Sequence, residues 1–227
     1  MIVKIEKLLS PRVLEVVQRE LDAAPWESGS KTAGGQAVHV KNNQQLDERS
    51  QLAQQLGDVV MDALAQSNLF ISSALPQRIY PPLFNRCHVG EGYGLHVDNA
   101  LRVIPGTAMR LRTDLSATLF LSDPDTYEGG ALQIQDKYGT QEIKLAAGDM
   151  VLYSSTSLHQ VLPVTSGVRT CAVFWLQSMV RSDAQREVLF DVDTSLQSLT
   201  QQLPAGDENL IRLNRTYQNL LQQWADT

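Results

Sequence analysis

The chain has 227 residues, of which 43% are hydrophobic and 19% charged, values typical of a globular protein with an apolar core. Its 19 lysines and arginines against 25 aspartates and glutamates give a net charge of −6. The sequence has neither a basic stripe nor a long apolar segment, so it argues against nucleic acid or a membrane as a partner. A small-molecule or peptide substrate is expected instead.

The N-terminus carries scattered charges and lacks the apolar segment and small-residue cleavage site of a secretory signal, so a cytoplasmic location is expected. Cys87 and Cys171 lie far apart in the sequence and form no CxxC pair. Both are expected to be reduced, buried thiols rather than parts of a disulfide or a zinc site.

The first third of the chain, 1–77, is predicted to be a helical support region that begins with a short strand. Ser10 and Pro11 supply an N-cap and a first helical residue to an amphipathic helix. Residues 27–45 are polar and contain glycine, which predicts a loop, and the spacing of apolar residues predicts a second helix over 46–66.

From 78 to 178 the sequence changes to short β-like runs separated by turn residues. Eight such runs in about a hundred residues predict a compact antiparallel barrel or jelly roll. The connection Asn99–Asp114 is longer than the others and is expected to be a lid or a binding loop. The runs are PPLFNRCHV, GLHVD, LSATLFLS, ALQIQD, QEIKLA, MVLYSS, HQVLPV and TCAVFWLQS.

The C-terminal extension, 179–227, returns to a helical period. Two helices are predicted at 183–203 and 208–226, joined as a hairpin through the sequence Pro-Ala-Gly. The whole chain is therefore expected to be α+β with a mainly β core. The sequence leaves open whether the C-terminal helices cap the core or form a homodimer.

The motif YGLHVDNA, residues 93–100, contains the first candidate metal ligands. Residues i and i+2 of a strand point to the same face, so His96 and Asp98 would project an imidazole and a carboxylate side by side. A 2-His-1-carboxylate iron site needs one more histidine, and His159 stands near the start of a later strand. Three ligands on one face would leave the other face of the metal open to substrate and O2.

The strand that begins at Arg169 carries a candidate anion site. Because side chains alternate along a strand, Arg169 shares one face with mostly apolar residues and is expected to be buried. A buried guanidinium needs an anion as its partner. A dicarboxylate such as 2-oxoglutarate fits, since one carboxylate and the keto oxygen would chelate iron while the far carboxylate would bind the guanidinium. The residues on this face are Arg169, Cys171, Val173 and Trp175.

Three further sets of residues have both a functional and a structural interpretation. Thr118 would either donate a hydroxyl to the carboxylate of the co-substrate or be an ordinary β-branched strand residue. The arginines of the long connection would either form part of a substrate mouth or pair with Asp114 and water. His39 and His88 are interpreted as surface or locally hydrogen-bonded residues. The arginines in question are Arg102, Arg110 and Arg112.

At this point the sequence resembles the prokaryotic Fe(II)- and 2-oxoglutarate-dependent hydroxylases of the PKHD type, relatives of the prolyl 4-hydroxylases. The resemblance spans most of 78–195 and extends to YQNLLQQWA near the C-terminus. The segments that carry it are PPLFNR, YGLHVDNA, RTDLSATLFLSDP, YEGGAL, AAGDMVLYSSTSLHQVLPVTSGVR and FWLQSMVRSDAQREVLFDVD.

The resemblance implies a double-stranded β-helix at about 78–178 with helices before and after it. It implies that Fe(II) binds to the triad and that Arg169 binds the distal carboxylate of 2-oxoglutarate, with L-ascorbate keeping the iron ferrous. One position departs from the pattern: Cys87 stands where relatives commonly carry a tyrosine, which puts that contact to the co-substrate in question. The triad residues are His96, Asp98 and His159.

The activity expected from these residues is O2-dependent hydroxylation of an unidentified substrate, with release of succinate and CO2. A peptidyl prolyl side chain and a small-molecule C–H bond are the candidate targets. One alternative is a cupin-like metalloenzyme that uses the same ligands without 2-oxoglutarate, although Arg169 argues against it. A second alternative is a non-catalytic β-barrel module that senses iron or binds a ligand.

Overall fold

The computed structural model of the chain describes residues 1–29, 40–136 and 139–226. It confirms the predicted fold class: an antiparallel jelly-roll core with helices before and after it. Within these residues, no helix is both long and apolar enough to span a bilayer. The helices are α1 (Pro11–Asp22), α2 (Gln51–Gln66), α3 (Asn68–Ala74), α4 (Asp183–Thr200) and α5 (Glu208–Trp224).

The strands are numbered in chain order, and the first nine precede the strongly apolar part of the core. They are β1 (Ile2–Ile5), β2 (Trp26–Ser28), β3 (Lys41–Asn42), β4 (Gln44–Leu46), β5 (Pro76–Ile79), β6 (Leu83–Cys87), β7 (Gly92–His96), β8 (Leu101–Val103) and β9 (Arg110–Arg112). The later strands are β10 (Leu115–Phe120), β11 (Tyr127–Gly129), β12 (Leu132–Asp136), β13 (Gly139–Ile143), β14 (Met150–Ser154), β15 (Leu158–Val161), β16 (Val164–Gly167) and β17 (Arg169–Ser178).

Two antiparallel sheets form the core. The larger has the strand order β1-β14-β10-β17-β6-β4-β2, with β5 also paired to β17, and the smaller has the order β13-β12-β15-β7-β3. Two further pairs, β8 with β9 and β11 with β16, lie outside these sheets. Most strands that lie side by side in the two sheets are not neighbours in sequence, as expected for a jelly roll.

The larger sheet buries both of its faces, and each face has a different partner. The side chains at Leu119, Leu152 and Phe174 belong to a core that also contains residues of α1, α2 and α3. The side chains at Phe120 and Tyr153 point the other way and pack against residues of the smaller sheet. The period of two along each strand therefore separates a helix-facing layer from an inner layer, and the inner layer is where the candidate site lies.

The region predicted as a loop at 27–45 contributes β2, β3 and β4, so that prediction was wrong for its described residues. These strands have two or three mostly polar residues and pair through their backbones, which gives no alternation of apolar residues for a sequence pattern to detect. The second helix begins at Gln51 rather than at 46, because Ser50 caps it by accepting a hydrogen bond from the amide of Ala53. The predicted boundary at residue 77, between the N-terminal support region and the core domain, stays a prediction.

The long connection Asn99–Asp114 is not an open loop, because it contains the hairpin of β8 and β9. The run HQVLPV, predicted as one strand, is divided between β15 and β16, which pair with different partners. In both places short strands pair outside the two main sheets, β8 with β9 and β16 with β11. The hairpin matters for function, since it reaches over the inner layer of the larger sheet.

The predicted C-terminal hairpin is present as α4 and α5, which pack on each other. Leu75, Val180 and Leu189 form a buried cluster with apolar residues of α5, including Tyr217 and Trp224. The two helices therefore cover the end of the core where α3 leads into β5.

Arg186, on α4, is expected to be the main polar anchor of this extension. Its side chain is almost fully buried and donates to the carbonyl oxygens of Val180 (2.6 Å) and Arg181 (2.9 Å), and it pairs with Asp183. Arg186→Met should lower the free energy of unfolding by roughly 2–3 kcal/mol, because it leaves a buried carbonyl without its charged donor.

Urea unfolding of Arg186→Met beside Arg181→Met checks this expectation. Arg181 pairs with Asp226 at 3.7 Å on the surface, where both side chains are largely exposed, so its loss should change stability by less than about 1 kcal/mol. Equal effects of the two substitutions would show that Arg186 is not the anchor.

Candidate active site

The three predicted metal ligands lie together between the two sheets. His96 ends β7 and His159 lies directly opposite it on β15, while Asp98 follows two residues after the end of β7. Their ligand atoms all lie within 4.8 Å of one another, and His159 Nε2 is 3.6 Å from Asp98 Oδ2. The prediction that Asp98 continues the strand was wrong, but its carboxylate still reaches the pair of imidazoles.

Both imidazoles are oriented through the same ring nitrogen. His96 Nδ1 hydrogen-bonds to the carbonyl oxygen of Gly94 (2.8 Å), and His159 Nδ1 hydrogen-bonds to that of Ser157 (3.0 Å). A carbonyl accepts, so each Nδ1 carries the proton and each Nε2 keeps a lone pair for a metal. Burial, and then the nearby charge of His159, lowers the pKa of His96 from 6.5 to about 4, so its ring is neutral at pH 7.

Asp98 is held by Ser116, which is itself in contact with Ser155, and the sequence interpretation assigned neither serine to the site. Ser116 Oγ donates to Asp98 Oδ2 at 2.6 Å, and the same hydroxyl lies 2.7 Å from Ser155 Oγ. Hydrogen bonds of this kind orient a ligating carboxylate. Side chains alternate along β10, so Ser116 lies on the same inner face as Thr118. This alternation is the sequence feature from which a role for Ser116 in the site could have been predicted.

Aromatic rings form two walls of the triad. Tyr93 stacks on the imidazole of His96 with ring centroids 3.6 Å apart, and Tyr153 meets His159 edge-on at 5.3 Å. Burial raises the pKa of Tyr93 to about 12, with a further contribution from Asp98, so its hydroxyl stays protonated. Each imidazole is therefore covered on one side by an aromatic ring.

Arg169 lies deeper in the same pocket and has 2% of its surface exposed. Its Nη1 lies 3.0 Å from the sulfur of Cys171, while Nε and Nη2 are buried with no hydrogen-bond partner among the described residues. Burial raises the pKa of Tyr127 and the nearby charge of Arg169 opposes that rise, and the buried hydroxyl of Tyr127 also has no partner there. Orphaned donors around a buried cation are what a carboxylate would satisfy.

Thr118 and Cys87 both line the pocket. Thr118 lies opposite Val173 on β17, and a hydrogen bond from its side chain opposes the strong rise that burial causes in the pKa of Tyr153. Cys87 is a buried free thiol opposite Arg169, and burial raises its pKa to about 12. It is therefore a neutral, unreactive wall residue at pH 7.

The three arginines of the long connection have separate environments. Arg112 forms a two-bond ion pair with Asp114, with its Nε 2.6 Å from Oδ1, as the structural interpretation expected. Arg110 is exposed, whereas Arg102 lines the pocket. Of the two remaining histidines, His88 lies outside the pocket, and His39 lies outside the described residues.

Comparison with known proteins identifies the family. Residues 82–177 match the 2OG-Fe(II) oxygenase superfamily, and residues 183–226 match the PKHD-type hydroxylase C-terminal domain. The chain is 54% identical over 227 residues to a PKHD-type hydroxylase of Saccharophagus degradans, with all of both chains covered. The chain belongs to the PKHD-type hydroxylases. The inward-facing triad and Arg169 thus lie in an oxygenase domain followed by the C-terminal domain of this family.

Other similarities agree with this assignment. A PKHD-type hydroxylase of Bordetella pertussis is 52% identical over 226 residues and is also covered completely. Among solved structures, a Trichoplax adhaerens prolyl hydroxylase in complex with a peptide fragment superimposes with a TM-score of 0.54 at 16% identity, covering 83% of this chain and 86% of that one. At that identity the structural likeness supports the fold alone.

Proposed function

We propose that this PKHD-type hydroxylase binds Fe(II) through His96, Asp98 and His159 and uses 2-oxoglutarate held by Arg169. The donor set supports the metal: two neutral imidazole nitrogens and one carboxylate are the ligands of non-haem Fe(II) oxygenases. Their preset tautomers and the serine-held carboxylate also fit a metal, because a metal ligand needs its other atoms fixed.

Arg169 is the single observation that most favours 2-oxoglutarate. A buried guanidinium without an anionic partner is unfavourable, and its free donors Nε and Nη2 match the two oxygens of a carboxylate. The hydroxyl of Tyr127 supplies a further donor beside it. Thr118 lies on β10 between the levels of Arg169 and the triad, so it is proposed to face the body of the co-substrate.

When bound, Fe(II) and 2-oxoglutarate together activate O2, so that one oxygen atom enters a substrate C–H bond and the other enters succinate as CO2 leaves. The protein's own residues position and protect this chemistry. Arg169 fixes the direction of the co-substrate, the triad gathers on one side and leaves the opposite side accessible, and Val173 and Trp175 line that space with apolar surface. An apolar wall limits water near the reacting atoms.

The coupling to 2-oxoglutarate distinguishes this proposal from a cupin-like enzyme and from a sensing module. A cupin-like enzyme has no use for the buried anion site, and a sensor has no use for an oxygen-accessible face. Both prolyl and small-molecule C–H bonds stay open as targets. L-Ascorbate as the reductant stays an expectation of the family resemblance.

Anaerobic addition of Fe(II) and then 2-oxoglutarate to the protein tests the proposal. We expect the visible charge-transfer band of chelated 2-oxoglutarate, followed on admission of O2 by loss of 2-oxoglutarate and formation of an equal amount of succinate. Iron binding without the band would favour the cupin-like alternative. A band without O2-dependent succinate would favour the sensing module.

A further inference from the structure

Arg102, on β8, is the pocket cation that the proposed function does not use. Its guanidinium carbon lies 3.8 Å from the ring centroid of Trp175 and 4.6 Å from that of Tyr80. The two rings themselves meet edge-on, with centroids 5.8 Å apart. Stacking on aromatic faces holds a guanidinium in place and leaves the N–H groups at its edges to bind another group.

One donor of this guanidinium is left unsatisfied by the described residues. Arg102 Nε is buried and has no hydrogen-bond partner among the described residues. Glu48 lies near, but it accepts its hydrogen bond from the hydroxyl of Tyr80 at 3.1 Å rather than from Arg102. A buried donor without an acceptor, on a side chain that lines a pocket, indicates that a ligand supplies the acceptor.

The distal carboxylate of the 2-oxoglutarate proposed for Arg169 is too far away to supply it, and the other carboxylate is committed to the iron. Arg169 reaches Cys171, whereas Arg102 stacks on Trp175, four residues further along β17. Four residues of a strand span about 13 Å. The register also places Trp175 opposite Ser116, which holds Asp98, so Arg102 lies at the metal end of the pocket and Arg169 at the far end.

The charges of the loaded site lead to the same conclusion. The two positive charges of Fe(II) and the one of Arg169 are matched by Asp98 and by the two carboxylates of 2-oxoglutarate. Arg102 and Lys41 then stand against the single negative charge of Glu48, and Arg102 is close enough to contribute to the lowering of the pKa of Lys41 to about 8, after the larger effect of burial. The free part of the pocket is therefore electropositive.

We propose that Arg102 binds an oxyanion of the substrate, a carboxylate or a phosphate, and that this enzyme therefore acts on an anionic molecule. The inference rests on the proposed function, which leaves the space beside Trp175 for the substrate. The oxyanion anchors one end of the substrate on the guanidinium edge, and the apolar face of Trp175 contacts the carbon skeleton that leads to the metal end. Arg102 is thus a residue that determines specificity.

Nuclear magnetic resonance of the arginine Nε–H groups tests this directly. The protein is labelled with ¹⁵N-arginine and loaded with 2-oxoglutarate and Zn(II), a diamagnetic substitute for Fe(II). The probes are N-acetylglycine, its neutral counterpart N-acetylglycinamide, and methyl phosphate. We expect an anionic probe to shift the Arg102 Nε–H signal in a saturable way, the amide to leave it unchanged, and the Arg169 signal to keep its 2-oxoglutarate-bound position.

Calorimetric titration with the same probes adds matched variants. Arg102→Met keeps an apolar stem on Trp175 and should weaken binding of the anionic probe at least tenfold, while Arg102→Lys, which keeps the charge but loses the stacked planar donors, should retain only part of the affinity. Arg110→Met is the control, because Arg110 lies on the same hairpin but is exposed, and it should bind like the unchanged protein.

The outcomes separate this inference from the proposed function. A response to N-acetylglycine alone identifies a carboxylate substrate, and a response to methyl phosphate alone identifies a phosphate. If neither anion moves the Arg102 signal although 2-oxoglutarate moves that of Arg169, the inference is wrong and the proposed function stands. Displacement of 2-oxoglutarate by the probes would also overturn it. If 2-oxoglutarate itself fails to move the Arg169 signal, the proposed function fails.

Discussion

The charge-transfer band of the anaerobic complex with Fe(II) and 2-oxoglutarate is expected to disappear in His159→Ala. The substitution removes one of the three ligand atoms that lie within 4.8 Å of one another. Loss of a residue that merely orients a ligand typically weakens metal binding 10- to 100-fold, so loss of the ligand should weaken Fe(II) binding by more than about 100-fold. Calorimetry with Fe(II) under nitrogen, beside the optical titration, measures both effects.

His88→Ala is the matched control for this experiment. His88 is only partly buried and lies outside the pocket, so the same change of residue type should leave the band and the iron affinity unaltered. Circular dichroism of both variants verifies that the fold is intact. A full band in His159→Ala would show that the three residues do not form the iron site, whatever the family of the protein.

The candidate ligands were predictable from residue type and spacing, because His96 and Asp98 stand two residues apart and an iron site needs one more histidine. The alternation along β17 indicates the direction of Arg169, whereas His159 lies on β15 of the smaller sheet. The fold class and the candidate ligands were predicted from these local sequence patterns together with the resemblance to a family. Asp98 was placed correctly near His96, although the strand on which the argument rested ends before it.

Contacts between segments that are distant in the sequence could not be predicted from the periodicity of apolar residues. Ser116 meets Asp98 only because β10 and the end of β7 face each other across the inner layer. Arg102 meets Trp175 only because a hairpin folds inside a segment that had the composition of a loop. Such contacts depend on how the sheets are arranged in three dimensions, and single residues of ordinary type give no local signal for them.

Arg102 and Arg112 show how similar local sequences acquire different roles. Each lies in the hairpin, and each was a candidate for the mouth of the site. Arg112 finds a carboxylate two residues away, and Asp114 in turn accepts the amide hydrogen of Ser178, so this arginine joins the hairpin to the end of β17. Arg102 finds aromatic faces instead, and its hydrogen-bonding edge stays available for a ligand.

Arg169→Met is expected to reduce the affinity for 2-oxoglutarate by at least about 100-fold and to leave Fe(II) binding nearly unchanged. Each hydrogen bond that involves a charged group contributes about 1.5–3 kcal/mol, and the substitution removes two such bonds. The methionine fills much of the space of the arginine stem. The iron ligands lie at the other end of the pocket, where the register pairs Ser116 with Trp175 rather than with Arg169.

The same substitution should have the opposite effect on the stability of the protein without ligands. Arg169 is buried with two donor atoms lacking partners among the described residues, so replacing it with an apolar side chain should leave the unliganded protein equally or more stable to urea. Weaker binding of 2-oxoglutarate together with unimpaired stability separates a binding role from a structural one. Unchanged 2-oxoglutarate affinity in Arg169→Met, measured beside Arg110→Met, would show that the co-substrate is held elsewhere.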